Sequence, residues 1–205
     1  VGQLAVRAAK HRGIERVIGV DLVPDRLTKA AAAGAEVVDL QGVKDVAETL
    51  RELTDGRGPD SVLDAVGMEA HGNPVSEKVI AGASRLPGPL ARTAIEKAGI
   101  DRLAALTTAI SAVRRGGTVS ISGVYGGMAD PLPMMQMFDK GIALRMGQCH
   151  VRRWTDELLD IARQPDDVLG LEQLATHRVS LEDAPEMYDT FMNKDDGCLK
   201  VVLTP

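Results

Sequence analysis

Gly2 and Asp21 are the first residues whose types and spacing could do chemistry. Gly2 opens a helix-like apolar run, Val1-Gly2-Gln3-Leu4-Ala5-Val6, and Asp21 closes the β-branched run RVIGVD at 16–21. A glycine at a helix start lets the helix pack closely on a strand. An acid roughly 20 residues later can accept hydrogen bonds from a ribose diol, and the two features form the second half of a dinucleotide-binding fingerprint. The same pair also reads as an ordinary helix start and turn cap, because the two other fingerprint glycines are not in the chain.

No nucleophile or metal constellation accompanies them. Cys149 and Cys198 belong to no CxxC motif, and His11, His150 and His177 form no HxxxH set with them. Neither a disulfide framework nor a structural zinc follows from such spacing. No catalytic residue and no metal ligand is assigned within the chain.

These residues need elements to hold them. Helix-like and extended segments alternate from the start, the pattern of a parallel sheet with crossover helices. Helices are predicted over 2–11, from Pro24 to Gly34, over 44–54 and over 101–114. Strands are predicted over 16–21, 35–39, 61–66, 118–122 and 142–146. The stretch 67–99 is too long for an ordinary connection and reads as a functional insertion. Residues 154–163, 181–192 and 199–203 read as helix, helix and strand, with no βαβ period of their own. The expected architecture is a doubly wound α/β domain over 1–150, its first strand missing, followed by a separate C-terminal segment over 151–205.

Bulk properties narrow the class. The 205 residues are 44% hydrophobic, enough for one full core, and the net charge of −5 gives no basic patch for nucleic acid or anionic membrane. No apolar run approaches the roughly 18 residues of a membrane span, and no signal segment opens the chain. A cytoplasmic location is the expectation. Val1 stands where a helix has already begun, so upstream sequence is expected.

Several runs carry a resemblance. Val1-Gly2 before an apolar helix resembles the end of the GxGPVG turn of zinc-dependent medium-chain alcohol dehydrogenases. VIGVDLVPDRL at 17–27, VLDAVGMEAHG at 62–72, GGTVSISGVYGG at 116–127 and the ending THRVSLEDAPEMYDTF with LKVVLTP extend it over essentially the whole chain. The second run, with its insertion, is most similar to glutathione-independent formaldehyde dehydrogenases.

That resemblance implies NAD as cofactor. Asp21 would take both adenosine ribose hydroxyls and repel a 2′-phosphate, while Arg26 would stack on adenine or lie near the ribose. Val66 and Gly67, then Ser122, Gly123 and Val124, would line the cofactor beyond two strand ends, the second set against the nicotinamide. Gln148 and Lys200 match cofactor-contacting positions, Lys200 toward the pyrophosphate. His71 departs from the arginine common in the family's EARG run and reads as a surface histidine.

The resemblance further implies a catalytic zinc whose ligands lie in a GroES-like domain outside this chain, a small alcohol or aldehyde as substrate, and homo-oligomers associating through 141–146. Rival readings are a polyol or amino-alcohol dehydrogenase, a non-catalytic remnant, and a domain using S-adenosylmethionine.

Overall fold

The computed structural model describes residues 1–67, 103–125 and 132–205. The expectations for His71 and for the insertion beyond Gly67 lie outside these residues. The chain forms two compact units: Val1–Lys44 with Cys149–Pro205, and Asp45–Gln148.

In the first unit, helix α1 (Gly2–His11) leads to strand β1 (Ile18–Asp21), helix α2 (Pro24–Ala32) and strand β2 (Glu36–Asp39). Pro24 fits the first turn of α2 because its missing N–H has no partner there in any helix. Gly34, with φ +88°, ends the helix in a backbone conformation that costs other residues energy. Leu27 and Ala30 on α2 are buried together with Ala35 and Val38. β1 and β2 pair in parallel, as the alternation of helices and strands predicts, with Ile18 opposite Glu36 and Asp21 opposite Asp39.

The second unit contains α3 (Val46–Glu52), β3 (Ser61–Asp64), α4 (Ala104–Ala112), β4 (Thr118–Ile121), α5 (Met134–Lys140) and β5 (Ala143–Met146). The Asp45 carboxylate caps α3 by accepting the Glu48 amide at 2.9 Å. A parallel sheet of order β3-β4-β5 places β4 in the centre, with Val119 and Ile121 buried. Leu106, Ala109 and Ile110 of α4 pack with Val113, Val119 and Ile121 into the core of this unit.

The rest of the first unit is α6 (Val151–Ala162), α7 (Leu171–Leu174), β6 (His177–Ser180), α8 (Ala184–Asn193) and β7 (Val201–Thr204). β6 pairs in parallel with β7, His177 opposite Val201. This corrects the expectation that the C-terminal stretch has no βαβ period: β6, α8 and β7 form that unit. The strand HRVS was missed because it is four residues long, polar at three of them and only partly buried, so no alternation stands out. Helix α5 was missed for a related reason, as MMQMFDK is too short to show a helical face.

Among the described residues no helix is long and apolar enough to cross a membrane.

Candidate functional site

In a parallel sheet, ligands bind beyond the carboxyl ends of the strands, where loops and helix N-termini converge. Asp64 ends β3 and is 5% exposed. Its Oδ1 accepts the amides of Val66 at 2.9 Å and Gly67 at 3.1 Å, folding the loop back over the strand end. Its carbonyl accepts the Ser122 and Gly123 amides at 2.9 and 3.1 Å and the Ser122 hydroxyl at 3.0 Å. Its Oδ2 accepts the Tyr125 hydroxyl at 2.5 Å. One residue therefore ties together the loops that leave β3 and β4. Burial, and then the bond to Asp64, push the Tyr125 phenol above its ordinary value.

Glycine makes the meeting of these loops possible. A Cβ on Gly123 would lie 2.2 Å from the Gly67 nitrogen, and one on Gly67, whose φ is +66°, would lie 2.6 Å from the Val124 nitrogen. Val66 and Val124 flank this contact and are 46% and 80% exposed, leaving an apolar rim at the strand ends. Gln148 is exposed two residues beyond β5, which pairs with β4. The structure thus brings Val66, Gly67, Ser122, Gly123 and Val124 together at the carboxyl ends of β3 and β4, with Gln148 beyond the neighbouring strand.

In the first unit, Asp21 ends β1, and its Oδ1 accepts the Leu22 and Val23 amides at 2.8 and 3.0 Å. The turn holds the carboxylate in place and leaves Oδ2 open among the described residues. Arg26 stands in the first turn of α2, and Gln3 beside Gly2 donates from Nε2 to its carbonyl at 2.8 Å. The start of α1 is thereby linked to the helix that follows Asp21. Lys200 is exposed just before β7, and its carbonyl accepts the His177 amide at 3.2 Å.

Sequence reasoning missed Asp64, Tyr125, Asp39 and Gln41. Asp39 is the register partner of Asp21, and Gln41 donates from Nε2 to the Leu22 carbonyl at 3.0 Å, bracing the turn that holds Asp21. An acid at the end of an otherwise apolar strand was the available signal for Asp64, since buried Asp is rare unless paired. Among the described residues no group of three or more His, Cys, Asp or Glu side chains could hold a metal ion.

Comparison with known proteins gives these positions a context. Residues 1–77 match the family model described as zinc-binding dehydrogenase. An uncharacterized zinc-type alcohol dehydrogenase-like protein of Bacillus subtilis is 33% identical, aligned over 100% of this chain and 50% of its own length. A formaldehyde dismutase of Pseudomonas putida is 26% identical over 93% of this chain and 46% of its own. Among solved structures, the alcohol dehydrogenase TADH from Thermus sp. ATN1 superposes with a TM-score of 0.76 at 28% identity, covering 100% of this chain and 48% of that one. The chain spans about half the length of these relatives. The fold is of the Rossmann type, as expected. On these matches the chain is similar to zinc-binding dehydrogenases and zinc-type alcohol dehydrogenase-like proteins along about half of their length.

Proposed function

We propose that the chain is the NAD-holding part of a zinc-dependent dehydrogenase that oxidises a small alcohol or aldehyde hydrate by hydride transfer. The observation that carries the reading is the Asp21 carboxylate, pinned at the end of β1 through Oδ1 with Oδ2 open. Such a group accepts a ribose hydroxyl and repels a 2′-phosphate, which favours NAD over NADP. The nicotinamide supplies the hydride chemistry when bound, while the chain fixes its position. Gly2 at the start of α1 and Arg26 serve the adenosine and pyrophosphate half, with Lys200 as a further positive charge. Val66, Gly67, Ser122, Gly123 and Val124 form the apolar and backbone wall for the nicotinamide, and Gln148 adds a polar contact.

Residues 1–150 are read as the nucleotide-binding domain and 151–205 as the segment returning to a catalytic domain, which supplies the zinc ligands. Formaldehyde-type, polyol and amino-alcohol substrates all fit this chemistry, and the proposed substrate is the class they share. A cytoplasmic homo-oligomer completes the reading.

Titration of NADH and NADPH into the protein and its Asp21→Ala variant tests it. Wild type is expected to prefer NADH, and the variant to lose about tenfold of that preference, the worth of one or two hydrogen bonds to a charged group. Equal discrimination by both proteins defeats the assignment.

A further inference from the structure

Asp64 is buried and is bonded to four backbone amides and two hydroxyls. Its bonds divide into two kinds. The Ser122 and Gly123 bonds end on the main-chain carbonyl and survive any substitution. The Val66, Gly67 and Tyr125 bonds end on the carboxylate and depend on the side chain. Tyr125 is thus the side-chain link from the loop after β4 to the carboxylate that folds the loop after β3.

The two loops otherwise meet at Gly67 and Gly123, where the contact is backbone against backbone. Such a contact sets only the closest approach. Attraction is needed to hold the loops there, and the hydrogen bonds to Asp64 provide it. The phenol ring also packs against the core of this unit, so the hydroxyl is aimed from a fixed base. A hydrogen bond between a phenol and a carboxylate is short, directional and stronger than a neutral pair.

We infer that Asp64 and Tyr125 are positioning residues: the hydroxyl of Tyr125 locks the two strand-end loops through the Asp64 carboxylate and so sets the spacing of Val66 and Val124 around the nicotinamide half of the dinucleotide. This rests on the reading that a dinucleotide binds at these loops. The lock acts on one half of the ligand only, since the adenosine half is assigned to Gly2, Asp21 and Arg26.

The test compares NADH with ADP-ribose, which lacks the nicotinamide, by titration into the protein and its Tyr125→Phe variant. The variant keeps the packed ring and removes one hydroxyl. The expected result is NADH affinity about tenfold weaker, with ADP-ribose affinity within about twofold of wild type. Asp64→Asn, which keeps an oxygen for the Val66 and Gly67 amides, should retain more NADH affinity than Asp64→Ala. Equal losses for both ligands in Tyr125→Phe, or no loss for either, overturn the positioning role while leaving the cofactor reading intact. Wild type that binds ADP-ribose but gains nothing from the nicotinamide also overturns it. Failure of wild type to bind either ligand overturns the cofactor reading and the inference with it.

Discussion

The backbones of Gly67 and Gly123 meet with no side chain between them, and a methyl group built on Gly123 falls 2.2 Å from the Gly67 nitrogen. The loops after β3 and β4 are closer than any residue with a Cβ permits. Gly123→Ala is expected to lower stability by about 3 kcal/mol, the upper range for forcing one methyl into packed surroundings. Gly141→Ala is the control: its φ of +63° is strained for alanine, but space around it is open, so about 1 kcal/mol is expected. Urea midpoints of the two variants measure the difference, and equal midpoints would show that the loops yield freely.

Lys140 should be a strong determinant of stability although no ligand contact is assigned to it. Its Nζ donates to the carbonyls of Ile110, Ser111 and Val113 at 2.9, 2.7 and 2.8 Å, closing the C-terminus of α4, and Arg51 adds a bond to Ser111 at 2.9 Å. Lys140→Met leaves these carbonyls short of donors and is expected to cost about 2 kcal/mol. Lys140→Arg should recover only part, because a planar fork cannot present three donors to one helix end. Thermal unfolding of the three proteins checks the order.

Acid should weaken the fold through three arginine-paired carboxylates. Glu36 with Arg16, Asp60 with Arg114 and Arg57, and Asp139 with Arg115 are each held below the ordinary carboxylate range, chiefly by the arginine hydrogen bond. A lowered folded-state pKa contributes stability that is present above the unfolded value and lost as pH falls through the folded one. The urea midpoint is therefore expected to fall from about pH 5 downward as these groups protonate. Each pair is exposed, so each contribution is small. Asp60→Asn should flatten the acid limb, and an unaltered slope in that variant would remove Asp60 from the account.

Gly170 and Arg7 should be coupled. Arg7 is 7% exposed and donates from Nη1 to the carbonyl and side chain of Gln3, and a Cβ on Gly170, at φ +60°, would lie 2.8 Å from its Nε. Gly170→Ala is expected to cost about 2 kcal/mol in wild type and about half that in an Arg7→Ala background, where only the backbone strain remains. A double-mutant cycle showing additive costs would mean that the guanidinium moves aside without penalty.

The order of elements was legible because apolar periodicity and turn residues act over a few positions. The β1 and β2 strands, α2 with its Pro24 start and Gly34 end, and the loops after β3 and β4 all lie where those local signals place them. Asp64 was not legible. It stands at the end of the apolar run SVLD, and its partner Tyr125 is 61 residues away, adjacent only because β3 pairs with β4. β6 was lost for a similar reason: His177 to Ser180 has its partner in β7, and a strand so short declares itself only through that pairing. The formaldehyde-type resemblance rests on the run at 62–72 and its insertion, a narrower base than the match to a zinc-type alcohol dehydrogenase-like protein, which runs along all of this chain and half of that one.

The convergence of bonds on Asp64 has a consequence for motion. The amide protons of Val66, Gly67, Ser122 and Gly123 all end on this single residue. A proton exchanges with solvent only when its bond opens, and bonds sharing one acceptor residue in a buried site open together. The two loops should thus exchange their hydrogens as one cooperative unit rather than as two independent surface segments, with a common protection factor.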